Sequence, residues 1–170
     1  MDQTALGDTF SLAYDELRRI AASVKRHDRR ATLNPTALVN EAFLKLSGSL
    51  AFTPESELHF KRIAARAMRQ VLIEAARRRS AGKRGSEFEF VTFDEDIGAR
   101  LTAPDDLVSL DSALDSLAEM SPRQAQLVEY RFFGGFEFPE IARLLGISLS
   151  TVMRDWRSAR AWLATQLRSA

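Results

Sequence analysis

The segment Phe138 to Ala164, FPEIARLLGISLSTVMRDWRSARAWLA, constrains this chain more than any other. Ile141, Ala142, Leu145, Ile147, Val152 and Trp156 are spaced to build one small core between two helices. Gly146 falls at the turn between them, where a positive φ is needed. Ser148 stands where the second helix needs an N-cap. Turn, cap and core agree on a helix-turn-helix, the element whose second helix enters the DNA major groove. The exposed side of that second helix carries Ser150, Thr151, Arg154, Arg157 and Ser158. Arginine reads guanine edges with two donors, and Ser or Thr reaches bases or phosphate.

The rest of the chain has the same helical period. Leu12, Ala13, Leu17, Ile20, Ala21 and Val24 mark a first helix within Phe10 to Arg26. Asn34 as cap and Pro35 in the first turn open a second, which Gly48 stops. A long helix is predicted from about Ser56 to Arg79, with an apolar stripe of Phe60, Ile63, Ala64, Ala67, Met68, Val71, Leu72 and Ala75. Residues 86–106 have no helical period. FEFVTFDED has a strand-like pattern, but a lone strand is marginal, so an extended linker is expected. Leu107, Val108, Leu110, Ala113, Leu114 and Leu117 begin a further helix. Ser121 and Pro122 open the next, which Gly134 and Gly135 stop. The expected fold is all-α: two small helical domains joined by an extended acidic linker, a division that 170 residues permit.

A net charge of +1 hides a strong asymmetry. Lys61, Arg62, Arg66, Arg69, Arg77, Arg78, Arg79, Lys83 and Arg84 share their stretch with Glu74 alone among anions. Arg62, Arg66 and Arg69 step by three and four, which puts them on one helix face. Local charge of this kind predicts phosphate contact, and the scarcity of acidic neighbours argues against a merely solvated face. From Glu87 to Glu119 the balance inverts, with Arg100 the sole cation among many carboxylates. That acidic block is expected to stay off DNA.

Enzyme chemistry finds no support. His27 and His59 are isolated, and no metal-ligand spacing, phosphate loop or nucleophile motif occurs. No catalytic residue, metal or cofactor is expected. Cysteine is absent, which excludes disulfides and thiolate sites. No apolar run is long enough to cross a bilayer, and the first residues lack a signal-peptide pattern, so a cytoplasmic location away from membranes is expected.

These residues resemble a known family. MSPRQAQLVEYRFFGGF followed by EIARLLGISLSTV, LVNEAFLKL (Leu38 to Leu46) and IAARAMRQVLIEAARRR (Ile63 to Arg79) are similar to bacterial RNA polymerase sigma factors of the extracytoplasmic-function (ECF) group of the sigma-70 family. The resemblance implies a sigma2-like domain over residues 1–84, a linker over 85–104 and a sigma4-like helix-turn-helix domain over 105–170. It implies an alternative sigma factor that binds core RNA polymerase, recognises and melts promoter DNA and initiates transcription, with catalysis left to the polymerase. Leu38, Asn40, Glu41, Phe43 and Leu46 would dock on the β′ clamp helices, and the sigma4-like domain on the β flap. Arg62, Arg66, Arg69, Gln70, Arg77, Arg78 and Arg79 would meet the −10 element, and Ser150, Thr151, Arg154 and Arg157 the −35 element. The acidic linker would thread towards the polymerase active site.

The chain departs from the family at one informative place. Most members carry an acidic run just before the docking helix, where this chain has Asn34, Pro35, Thr36 and Ala37. Missing charge at a docking surface weakens association. A phosphate on Thr36 would add about −1.5 to −2 charge at a helix first turn, where the dipole favours it. Activation by a Ser/Thr kinase at Thr36, with Thr32 and Thr53 as weaker sites, is one reading; an interface that tolerates neutral residues is the other. An anti-sigma protein is a further possible partner. Gln70 and Ala76 also depart from common family residues and leave the −10 preference open. A stand-alone helix-turn-helix regulator is the main alternative function, and a helical adaptor without DNA contact the other.

Overall fold

The computed structural model describes residues 41, 42, 44–46, 56–82 and 104–169. The fold is all-α, with no strand among the described residues. Five helices follow in order: α1 (Glu57–Gly82), α2 (Pro104–Met120), α3 (Pro122–Phe132), α4 (Phe138–Leu145) and α5 (Leu149–Ser169). The described residues within 41–46 are also helical. The predicted first helix and linker residues 85–103 lie outside the described residues, as do Thr32, Thr36, Thr53, Leu38, Asn40 and Phe43, while Pro104, the linker's expected last residue, begins α2.

Helix α1 starts where Ser56 Oγ accepts the His59 backbone N–H at 3.1 Å, satisfying a donor that the first turn leaves open. It runs three residues beyond the expected end at Arg79. The predicted stripe is buried, with Ile63 partly so, but Ala65, Ile73 and Ala76 are buried as well. The helix is covered on more than one side, and a helix so enclosed needs more than one apolar stripe. On one side the 41–46 helix pairs with it, Lys45 with Glu74 at 2.8 Å and Arg78 with Glu41 at 3.5 Å. On another it packs against α2 and α3.

Helix α2 opens with Asp105 and Asp106 in its first turn, where carboxylates suit the positive end of the helix dipole. Ser121 alone separates it from α3, with Pro122 in the first turn as expected. The Ser121 side chain makes no capping hydrogen bond; its carbonyl accepts the Ala125 N–H at 3.1 Å. After α3 the chain turns sharply. Gly135 adopts φ 65°, and the Phe136 N–H returns to the Tyr130 carbonyl at 3.1 Å. This turn drives Phe132, Phe133 and Phe136 into the core, the first two rings edge-on at 4.8 Å.

Helix α4 carries a capping box, in which Glu137 and Glu140 satisfy each other's backbone donors. Gly146 ends it in the left-handed conformation, φ 66°, and the Ile147 N–H reaches the Ala142 carbonyl at 3.0 Å. Ser148 then caps α5, its Oγ accepting the Thr151 N–H at 3.2 Å. Ile141, Val152 and Trp156 are buried as expected, while Ala142, Leu145 and Ile147 are only partly so. Leu144, absent from the expected set, is fully buried. Its place three residues after Ile141 puts it on the inner face of α4. Buried residues of α1 and of α2–α5 belong to one continuous core rather than to two separate ones.

Candidate nucleic-acid interface

Helix α5 is held from behind. Val152, Trp156, Ala159 and Leu163 are buried at steps of four, three and four, which fixes its rotation. Trp156 meets Phe138 of α4 at 5.6 Å between ring centroids. Asp155 is buried and accepts a 2.7 Å hydrogen bond from Arg123 Nε of α3. With that side anchored, Ser150, Arg154, Arg157 and Ser158 are exposed and Thr151 is half-buried. All the residues expected to read DNA therefore share the free side of the recognition helix. Ser148 Oγ ties Thr151 Oγ1 at 2.8 Å and Ser150 Oγ at 3.0 Å, ordering the first turn. Arg157 Nε donates to the Met153 carbonyl at 3.2 Å.

Sequence reasoning missed two residues here. Leu149 and Met153 are large apolar side chains exposed on the same helix. Their spacing of four was visible, but an apolar residue in an amphipathic helix is first assigned to the core.

The basic face of α1 differs from the expectation of an open phosphate-binding surface. Arg66 and Gln70 are exposed. Arg69 is not: its side chain is 15% exposed and fully engaged with α2 and α3. Nε donates to Asp111 Oδ1 at 2.8 Å and Nη1 to Glu129 Oε2 at 3.0 Å. Nη2 donates to Asp115 Oδ1 at 2.7 Å and to the Asp111 carbonyl at 3.1 Å. Burial alone would lower the Arg69 pKa, but the hydrogen bonds it donates to Glu129 and Asp111 outweigh that and hold it above its ordinary value. Arg77 Nη2 reaches the other Asp111 oxygen at 3.3 Å.

The N-terminal part of α1 leans on the helix-turn-helix itself. Arg62 donates to the Leu144 carbonyl near the end of α4, where the helix dipole is negative. Lys61 lies 3.7 Å from Glu140 and 5.9 Å from the Phe136 ring centre. Arg66, Arg69, Gln70 and Arg77 line an open cleft of about 370 Å³ together with Glu74, Asp111, Asp115 and Glu129. The scarcity of acidic neighbours inferred from the basic block is thus a property of the sequence window and not of the fold. The partners of Arg69 come from 42, 46 and 60 residues away.

Of the expected polymerase-docking residues, Glu41 pairs with Arg78. Leu46 is 4% exposed and belongs to the core, whereas Leu44, two residues earlier, is 67% exposed. Leu46 is thus on the inner side of this helix and Leu44 on its outer side. Among the described residues no cluster of His, Asp and Glu is arranged to hold a metal ion. No described helix is long and apolar enough to cross a membrane.

No curated protein and no solved structure matches the chain. A family model described as "ECF sigma factor" matches residues 2–169, nearly the whole length. The helix-turn-helix with its anchored recognition helix and the basic helix ahead of it fit that match, and the chain belongs to the ECF sigma factor family, whose members bind core RNA polymerase and promoter DNA in transcription initiation.

Proposed function

We propose that this protein directs core RNA polymerase to its promoters by reading the −35 element with α5 and the −10 element with α1. The observation that carries the reading is the anchoring of α5. Asp155 and the buried stripe fix the helix so that Ser150, Arg154 and Arg157 face outward. Arg154 and Arg157 supply the donors that read base edges, and Ser150 and Thr151 complete the contact. Arg66, Gln70, Arg77 and Arg78 of α1 would grip the −10 strand, joined by Arg79 and, once released from their contacts, by Arg62 and Arg69. The helix containing Glu41 and Leu44 docks on the clamp helices of β′, with Leu38, Asn40 and Phe43, and the helix-turn-helix domain docks on the β flap. Residues 1–84 and 105–170 act as the two promoter-binding units.

The neutral run Asn34 to Ala37 before the docking helix supports control by phosphorylation at Thr36. A phosphate there restores the charge that a basic clamp attracts.

Run-off transcription with purified core polymerase tests the reading. The wild-type or Thr36→Glu protein should initiate from a promoter selected by the holoenzyme. Arg154→Ala should weaken promoter binding by about 1–3 kcal/mol and relax the sequence preference at the base it reads. Tight binding of duplex DNA by the free protein as a symmetric dimer, without any gain from polymerase, would establish a stand-alone regulator instead. Equal polymerase affinity of the wild-type and Thr36→Glu proteins would remove the phosphorylation step alone.

A further inference from the structure

The middle of the basic face of α1 is engaged by the protein's own carboxylates. From the geometry we infer that Asp111, Asp115 and Glu129 form a latch that holds Arg69 in place of promoter phosphate, so that the free protein is autoinhibited. The inference rests on the reading of α1 as the −10 helix.

The chemistry of the latch matches the chemistry it blocks. A guanidinium binds carboxylate and phosphate through the same planar array of donors. Arginine has five N–H groups, and Arg69 directs four hydrogen bonds at α2 and α3. Arg69 cannot hold these partners and a DNA backbone at once. The carboxylates also repel phosphate from the neighbouring Arg66 and Gln70, which line the same cleft.

The contact is broader than one residue. Arg77 shares Asp111, and Lys61 and Arg62 engage Glu140 and the Leu144 carbonyl of α4. The basic helix is therefore held against the same unit that carries the −35 helix. That arrangement fixes the spacing between the two DNA-binding surfaces by contact rather than by a promoter. Asp115 is the weak side of the latch: its side chain is 72% exposed, so water and salt compete for it. Opening can begin at this exposed contact, where a competitor with better-placed charge displaces Asp115 before the more buried Asp111 and Glu129.

Two experiments on the full chain test the latch. In the first, binding of a fluorescein-labelled poly-thymidine strand by the free protein is compared across the wild type, Asp111→Asn with Asp115→Asn, and Asp105→Asn with Glu119→Gln. Both double variants remove two negative charges, but Asp105 and Glu119 are exposed and make no contact with Arg69 in the described interface. The latch variant should bind about tenfold tighter than the control variant, as expected when the competent fraction rises by that factor. Equal affinity of the two double variants overturns the proposal.

In the second, the cysteine-free chain receives Lys61→Cys and Glu140→Cys, which a disulfide-containing bifunctional thiol reagent joins. The joined protein should lose run-off transcription at least tenfold and recover it on reduction. Transcription unaffected by the cross-link also overturns the proposal. This arm keeps all three carboxylates and stands even if the Asp111 variant fails to fold. A protein inactive with polymerase in both joined and reduced forms refutes the sigma reading, and the poly-thymidine comparison then still decides the latch.

Discussion

Arg123 Nε of α3 lies 2.7 Å from Asp155 Oδ2 of α5, and the carboxylate is buried while the guanidinium is half exposed. The pair locks the recognition helix from its inner side, within the same turn as the outward-facing Arg154 and Arg157. A buried carboxylate that loses its partner bears a desolvation cost that nothing offsets. Arg123→Met should therefore destabilise the protein by about 1–2 kcal/mol, the exposed guanidinium discounting the larger values of fully buried pairs. Asp155→Asn, which removes the charge but keeps an acceptor, should cost less. Urea midpoints of the two variants check the order; an Arg123→Met protein as stable as the wild type would show that packing alone orients α5.

The two turn regions of the helix-turn-helix unit make different demands on glycine. A Cβ at Gly134 would meet the Phe136 ring at 2.6 Å and the Tyr130 carbonyl oxygen at 2.7 Å. Neither neighbour can retreat, because Phe136 is fully buried and Tyr130 belongs to α3. Gly146 has open space around it but a φ of +66°. Gly134→Ala should thus cost about 2–3 kcal/mol through overpacking and Gly146→Ala about 1 kcal/mol through backbone strain. Thermal melting of both variants tests the ranking, and the reverse order would contradict the steric account.

Tyr130 gives a pH dependence with a definite sign. Burial raises its pKa above 10.0; the Arg62 charge pulls it back, and Glu129 pushes it further up. A raised folded-state pKa means that the folded protein holds the phenolic proton more tightly. The associated stability is complete below the unfolded value of about 10 and is lost as pH rises through the folded value. Arg69 keeps its charge across this window, since its pKa is held above its ordinary value. Urea unfolding at about pH 9 and about pH 11 should show a loss of stability that Tyr130→Phe reduces. An identical loss in both proteins would assign it to other groups.

The helix-turn-helix was legible in the sequence because its signals are local. Gly146, Ser148 and the spacing of Ile141, Val152 and Trp156 lie within one short segment, and each has a single structural meaning. Leu144 and Leu145 show the limit of that reading. Adjacent leucines both fit an apolar stripe, and only the packing of α4 on its neighbours makes Leu144 the inner one. The carboxylate pairing of Arg69 on α1 was not legible for a different reason. Charge counted along the chain finds Glu74 alone near Arg69, whereas Asp111, Asp115 and Glu129 arrive through tertiary packing. Charge density predicts an electrostatic surface, but not whether its first partner is a nucleic acid or another part of the same protein.

The helix within residues 41–46 separates two leucines that a sequence pattern confuses. Leu46 is 4% exposed within the core, and Leu44 is 67% exposed. Leu46→Ala removes buried methyl groups and leaves a cavity, so it should destabilise the protein by about 2–4 kcal/mol. Its effect on polymerase binding should vanish once measured under conditions where the variant is folded. Leu44→Ser changes a mostly exposed side chain and should leave the urea midpoint within about 0.5 kcal/mol of wild type. If this helix docks on polymerase, the same substitution should weaken binding to core enzyme by about tenfold, as expected for loss of an apolar contact of about 1.4 kcal/mol. Paired measurement of urea midpoints and polymerase affinity distinguishes the roles. A Leu44→Ser protein with unchanged affinity would place the docking contact on another face of the helix, and a stable Leu46→Ala protein with lost affinity would return Leu46 to the interface.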